Sequence, residues 1–194
     1  IGGANLTYGF AGIYDGNGKT ISNLNVPYLF NAVTGEIRDL TLAESCTFKN
    51  ASVARWLVGG KVINCKNYGS ILPTFNGTDW SNDANAGGIV QIAERGAEIL
   101  GCKNYGKIEI QSDKTNFSRI GGIAASISNV TIRNCHNYGS LNAGKPAEGY
   151  HGSTGNYAGG IVGEVRTSST YKGSTQIIGC SNRGSVTAGG YVGG

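Results

Sequence analysis

The phrase NCKNYGSI, from Asn64 to Ile71, returns as GCKNYGKI (Gly101 to Ile108), as NCHNYGSL (Asn134 to Leu141) and as GCSNRGSV (Gly179 to Val186). Its cysteines, Cys65, Cys102, Cys135 and Cys180, stand 37, 33 and 45 residues apart. An internal period in the thirties marks a solenoid or array, in which each repeat is too small to bury its own apolar face and stacks on its neighbours instead. Five columns hold through the four copies. They are a β-branched residue three places before the cysteine (Val62, Ile99, Ile132, Ile177), the cysteine itself, an asparagine (Asn67, Asn104, Asn137, Asn182), a glycine (Gly69, Gly106, Gly139, Gly184) and an aliphatic residue (Ile71, Ile108, Leu141, Val186).

A second phrase accompanies the first: AGGIV from Ala86, IGGIA from Ile120, AGGIV from Ala158 and AGGYV from Ala188. One repeat therefore reads as a GGI strand, a spacer, a strand ending at the cysteine, an Asn-x-Gly bend and a short third strand. Helices are excluded because β-branched residues and glycine dominate and no apolar stripe of 3.6-residue period persists. In a stack of such coils each residue lies about 4.8 Å above its equivalent, so like side chains form ladders along the axis. Asparagine suits a ladder because its amide both donates and accepts. The following glycine is expected to take the positive φ of a sharp corner. The small cysteine fits an inward position, and the residue before it (Asn64, Gly101, Asn134 or Gly179) occupies a slip in the alternation that a bulge accommodates. These four asparagines and four cysteines are the expected structural ladder.

Composition narrows the function classes. The chain has 194 residues with 33 glycines, 39% hydrophobic and 14% charged residues, and a net charge of +4. Glycine without a three-residue period is not collagen, and regularly placed apolar residues argue against disorder. No apolar run is long enough to span a membrane as a helix. Scattered basic residues lack the concentrated patch of a nucleic-acid reader. An initial Ile1 and a final AGGYVGG read as a fragment of a longer chain. The whole of 1–194 is expected to be one repeat domain, with 1–60 as atypical opening coils and 61–194 as the iterated Cys-x-Asn-x-Gly repeats.

The opening segment GFAGIYDGNGKTISNLNV (Gly9 to Val26) with LFNAVTGEIRDLTL (Leu29 to Leu42), followed by the Cys-x-Asn-x-Gly and GGI phrases, resembles bacterial surface proteins with GLUG-type repeats. The resemblance covers nearly the whole chain. It implies a right-handed parallel β-helix and an exported, extracellular, cell-surface protein, often adhesive, with no catalytic residues to carry over. Two departures are visible. Tyr28 replaces the family's usual glycine before Leu-Phe, and RWLVGGKV (Arg55 to Val62) compresses the first GGI segment against the cysteine strand.

The residue types that carry chemistry are sparse. Asp15-Gly-Asn-Gly18 has the oxygen spacing of a calcium loop but lacks the bidentate glutamate at the twelfth place, and reads as a hairpin-type turn. No CxxC pair exists for zinc, and stacked cysteines point in parallel, a poor geometry for disulfides. A buried, reduced ladder is expected, with Cys46 outside the pattern. His136 shares a column with Lys66, Lys103 and Ser181 and reads as outward and solvated. No metal, cofactor or catalytic group is assigned.

The insertions between the third strand and the next GGI leave the same corner of successive coils and should gather on one edge, where per-repeat insertions often bind ligands. They supply the ligand-binding candidates Phe75, Asp79, Trp80, Phe117, Tyr150, His151 and Tyr157. Shielding of the sheet edge is the competing role for the same residues. The functional expectation is a non-catalytic adhesin recognising a glycan or protein on a host or neighbouring cell. Its rivals are a stalk or filament subunit, self-associating through open coil ends, and a polysaccharide lyase or hydrolase.

Overall fold

The computed structural model describes residues 9–74, 84–110, 118–144, 156–167 and 173–193. Among these the chain forms 25 strands and no helix. The strands make four sheets of nine, six, six and four members. Every pairing is parallel, and partners in a sheet are separated by a whole repeat in sequence. The chain is thus an all-β stack of parallel sheets, and strands on both sides of position 60 share them: Ile37 pairs with Val62 and Thr41 with Lys66.

Four columns carry the architecture. In the nine-stranded sheet, Ile37, Val62, Ile99, Ile132 and Ile177 are successive partners. In one six-stranded sheet the asparagines Asn67, Asn104, Asn137 and Asn182 follow Leu42. In the other, Phe48, Ile71, Ile108, Leu141 and Val186 align. The four-stranded sheet aligns Ala86, Ile120, Ala158 and Val192. The aliphatic columns meet in the interior, where Ile37, Val62, Ile99, Ile132, Phe48, Ile71 and Ile108 are fully buried. Each such side chain contributes about 1.5–3 kcal/mol relative to exposure.

The left-handed turn lies five positions before the Asn-x-Gly glycine at which the phrase places it. The left-handed residues of this column are Asp39 (φ 52°), Asn64 (53°), Gly101 (63°), Asn134 (54°) and Gly179 (64°), each immediately before the column that Leu40 and the repeated cysteines fill. The slip in alternation is therefore a left-handed turn, tolerated by Asp and Asn as well as glycine. The glycines of Asn-x-Gly serve a different need. A Cβ on Gly106 would overlap the carbonyl oxygen of Gly69, and one on Gly139 that of Gly106, so crowding along the axis excludes any larger residue.

Two copies of the GG phrase also take another register. Near the C-terminus, Tyr191, Val192 and Gly193 pair with Tyr157, Ala158 and Gly159, so Ala188–Gly190 belongs to the preceding connection. In the opening coils Ala51 bridges Gly87 and Ala54 pairs with Val90, which makes Ala51–Ala54 the counterpart of GGIV. Gly59, at φ 65°, turns the chain between Ala54–Val58 and Lys61–Ile63. Backbone pairing along the whole strand decides these registers, and a glycine pair alone does not.

Asp15–Gly18 is a turn. The Asp15 carboxylate accepts the Asn17 N–H at 2.8 Å, and the Lys19 N–H reaches the Gly16 carbonyl at 2.8 Å. It is not a hairpin, since Ile13–Asp15 and Thr20–Ile21 lie in different sheets and each pairs in parallel with the next repeat.

Candidate functional site

Period-two alternation through the repeated phrase sends the cysteine and asparagine inward and the residues around them outward. The inward asparagines form a continuous ladder. Asn67 Nδ2 donates to Asn104 Oδ1 at 2.9 Å, Asn104 to Asn137 at 2.8 Å, and Asn137 to Asn182 at 2.7 Å. The same amides close onto the glycine two residues on, for example Asn67 Nδ2 to the Gly69 carbonyl at 2.9 Å and the Gly69 N–H to Asn67 Oδ1 at 3.0 Å. Asn67, Asn104 and Asn137 are fully buried. Each Asn-x-Gly corner is thereby satisfied within itself and bonded to its neighbour.

Cys65, Cys102 and Cys135 are buried free thiols, and Cys180 is a half-buried one. The Cys102 thiol donates to the carbonyls of Val62 and Leu100 at 3.5 and 3.4 Å, and Cys135 to those of Ile99 and Arg133 at 3.4 Å each. Burial pushes the Cys102 thiol well above its ordinary pKa, with the thiols of Cys135 and Cys65 adding to the shift. The Cys102 thiol is therefore held in its neutral, less nucleophilic form. Cys46, outside the cysteine column, is also buried, and its carbonyl accepts the Ser70 N–H at 3.1 Å.

The outward members of the phrase make a face of three columns. Asp39, Asn64, Gly101, Asn134 and Gly179 form the first. Thr41, Lys66, Lys103, His136 and Ser181 form the second, in direct register. Tyr68, Tyr105, Tyr138 and Arg183 form the third. Tyr68 stacks on Tyr105 with centroids 4.5 Å apart and planes 3° from parallel, and Tyr105 on Tyr138 at 4.7 Å and 6°. The Arg183 guanidinium caps the stack 5.9 Å from the Tyr138 ring, a favourable cation–π placement. At the other end the preceding row continues from Leu42 into Ala43, too small to cover a ring, and Tyr68 is 41% exposed. Burial between its neighbours raises the Tyr105 phenol above its ordinary pKa, with Tyr68 and Tyr138 adding to the shift.

Along the first two columns runs an open groove of about 410 Å³ lined by Gly18, Asp39, Thr41, Asn64, Lys66, Gly101, Lys103 and Asn134. Asn64 Nδ2 donates to Asp39 Oδ1 at 3.3 Å, which occupies the carboxylate of the groove. His136 Nδ1 and Ser181 Oγ lie 2.8 Å apart, so this histidine is outward but half-buried and oriented by a hydrogen bond.

Of the expected ligand-binding residues, Phe75, Asp79, Trp80, Phe117, Tyr150 and His151 lie outside the described residues. Tyr157 is not in an insertion. It opens the strand Tyr157–Gly159, its N–H bonds the Ser118 carbonyl at 2.8 Å, and its ring stacks on Tyr191 at 5.0 Å and 13°. The insertions themselves do depart from one corner, since each runs from the aliphatic six-stranded sheet to the four-stranded one. Sequence reasoning passed over the lysine and tyrosine columns as parts of a structural phrase. Their signal was present in the alternation, because residues at the positions of Asn64, Lys66 and Tyr68 must share one face. No group of three or more metal-ligating side chains occurs among the described residues.

Neither protein-family models nor curated proteins match this chain.

Proposed function

We propose that the chain is a right-handed parallel β-helix segment of an exported bacterial surface protein, similar to those with GLUG-type repeats, and acts as a non-catalytic binding module on a glycan or protein of a host or neighbouring cell. The right hand follows from the chirality of connections between parallel strands, nearly all of which are right-handed. The observation that carries the binding reading is the outward face of Asn64, Lys66 and Tyr68 and their equivalents, repeated in register on a rigid support. A buried asparagine ladder beneath holds these side chains in place, and preorganised side chains lose little freedom on binding.

Most of the described carboxylates are engaged, with Glu44 the exception, and this supports a non-catalytic role. Asp15, Glu36, Glu98, Glu109 and Glu164 are each paired with a lysine or arginine, and Asp39 accepts the Asn64 amide. A lyase or hydrolase of polysaccharides needs acid or base groups converging over a groove. The stalk or filament reading draws on one observation: Ile177, Ile178, Tyr191 and Val192 in the last strands are 41–61% exposed, a surface that a further coil or a second copy would cover.

The test is binding of the purified chain to bacterial and epithelial cells and to immobilised glycans, compared with a Tyr105→Ala/Tyr138→Ala variant whose folding is checked by circular dichroism. Loss of binding with retained strand signal supports the face. Unchanged binding places recognition elsewhere, and end-to-end assembly without cell or glycan binding favours the stalk.

A further inference from the structure

We propose that this face takes an extended acidic polysaccharide, laid along the stacking axis with its carboxylate or sulfate groups on Lys66 and Lys103. The inference rests on the binding-face reading above and adds the chemistry of the ligand.

The starting point is a like-charge pair. Lys66 pairs directly with Lys103. Neighbouring strands lie about 4.8 Å apart, and like charges directly opposite one another destabilise a sheet. Several other cations of the sheets are matched. Lys61 meets Glu98 and Lys107 meets Glu109, both at 2.8 Å, while Arg38 meets Asp15 at 2.9 Å and Arg119 meets Glu164 at 2.6 Å. Lys66 and Lys103 have no ion-pair partner among the described residues. Lys19, Lys49 and Arg133 also lack one there but do not face another lysine in register, as Lys66 and Lys103 do. An anion laid across them would remove the repulsion and form charge-assisted hydrogen bonds.

The repeat geometry favours a polymer. A row recurs about every 4.8 Å, so Lys66 and Lys103 stand one row apart, comparable with the advance of a single sugar residue along an extended chain. Beside the lysines, Asn64 and Asn134 line the groove with amides suited to sugar hydroxyls, and the Asn64 side chain lies over Gly101 between them. On the other side, the uncovered ring of Tyr68 offers a flat apolar surface to the face of a sugar. An acidic peptide is less well served, because the rows here are interior members of a sheet bonded on both sides and present no free strand edge for main-chain pairing.

The experiment measures binding of the purified chain to polygalacturonate, heparin, dextran and poly-glutamate at low and high salt, for the native protein, Lys66→Gln/Lys103→Gln and Tyr68→Ala. The expected result is binding to polygalacturonate or heparin, weakened by salt and by about tenfold or more in the lysine variant, with dextran unbound. Preference between the first two identifies carboxylate or sulfate as the anion. The lysine variant should also show a higher denaturant midpoint, since the repulsion is gone; a lower one would overturn the charge argument. Dextran binding that depends on Tyr68 and not on the lysines would overturn the acidic ligand and leave the binding face standing. Poly-glutamate bound as tightly as the acidic glycans would overturn the glycan. Acidic-glycan binding unaffected by any of these substitutions would overturn both the ligand and the face, and no binding to any probe would overturn the ligand.

Discussion

Gly88 lies against the side chain of Asn104: a Cβ on Gly88 would come within 2.7 Å of Asn104 Cγ. Gly122 stands in the same relation to Asn137, at 2.5 Å, and Gly160 to Asn182, at 2.6 Å. The second glycine of each GG pair therefore opposes the asparagine ladder across the interior. This contact explains why the two repeated phrases occur together at Asn104, Asn137 and Asn182, while in the first repeat the equivalent position holds the small, buried Ser52.

Gly122→Ala tests the contact. The new methyl would meet Asn137 and the Gly160 carbonyl, and overpacking of this kind costs about 1–3 kcal/mol or more. Gly96→Ala is the control, because Gly96 has φ 79° but nothing within 4 Å of a Cβ, which leaves backbone strain alone. Denaturant midpoints should show the larger loss for Gly122→Ala.

Within the ladder, Asn104 is bonded on both sides and Asn182 on one. Removing Asn104 leaves the Gly106 carbonyl and the Asn67 and Asn137 amides with lost partners, at about 1–3 kcal/mol for each buried group. Asn182→Ala disturbs the Asn137 amide and a half-buried Gly184 carbonyl. Asn104→Ala should cost clearly more stability, and a central lesion should also broaden the transition as the two halves uncouple. Equal midpoints would mean that the ladder does not carry the stacking.

The thiols give a chemical measure of the same interior. Cys46, Cys65, Cys102 and Cys135 are fully buried and Cys180 is half-exposed. A thiol reagent should modify at most Cys180 in the native protein and all five cysteines after denaturation. Because the folded Cys102 pKa is raised, the unfolded chain releases this proton first. The contribution of Cys102 to stability is complete below the ordinary thiol pKa of about 8.5 and is lost as pH rises above it. Denaturant midpoints from neutral to alkaline pH should fall less steeply for Cys102→Ala.

Tyr157 tests the corrected register at the C-terminal end. As a residue stacked on Tyr191, its replacement by alanine should cost about 0.5–1.5 kcal/mol beyond the lost burial. A surface-loop position would change stability by within about 0.5 kcal/mol. Paired measurements with Tyr191→Ala and the double variant would show coupling if the rings stack and simple additivity if they do not.

Much of the stack was legible in the one-dimensional sequence. The columns of Val62, Asn67, Gly69 and Ile71 and their equivalents are set by a constant spacing inside each phrase, and a parallel stack converts equal spacing into equal height. The alternation likewise determines which residues of the phrase point inward. Tertiary structure alone decided the rest. The left-handed corner falls at Asn64 rather than Gly69 because the glycine is required by a carbonyl one repeat away, a contact that no local preference encodes. Tyr191 rather than Ala188 heads the last GG strand because pairing over several residues outweighs a two-glycine match. Lys66, Lys103 and Tyr105 become a surface only when repeats that are 37 residues apart at Cys65 and Cys102 come within one strand spacing of each other. Their unmatched charge is a property of that juxtaposition, since a lone lysine in a solvated chain repels nothing.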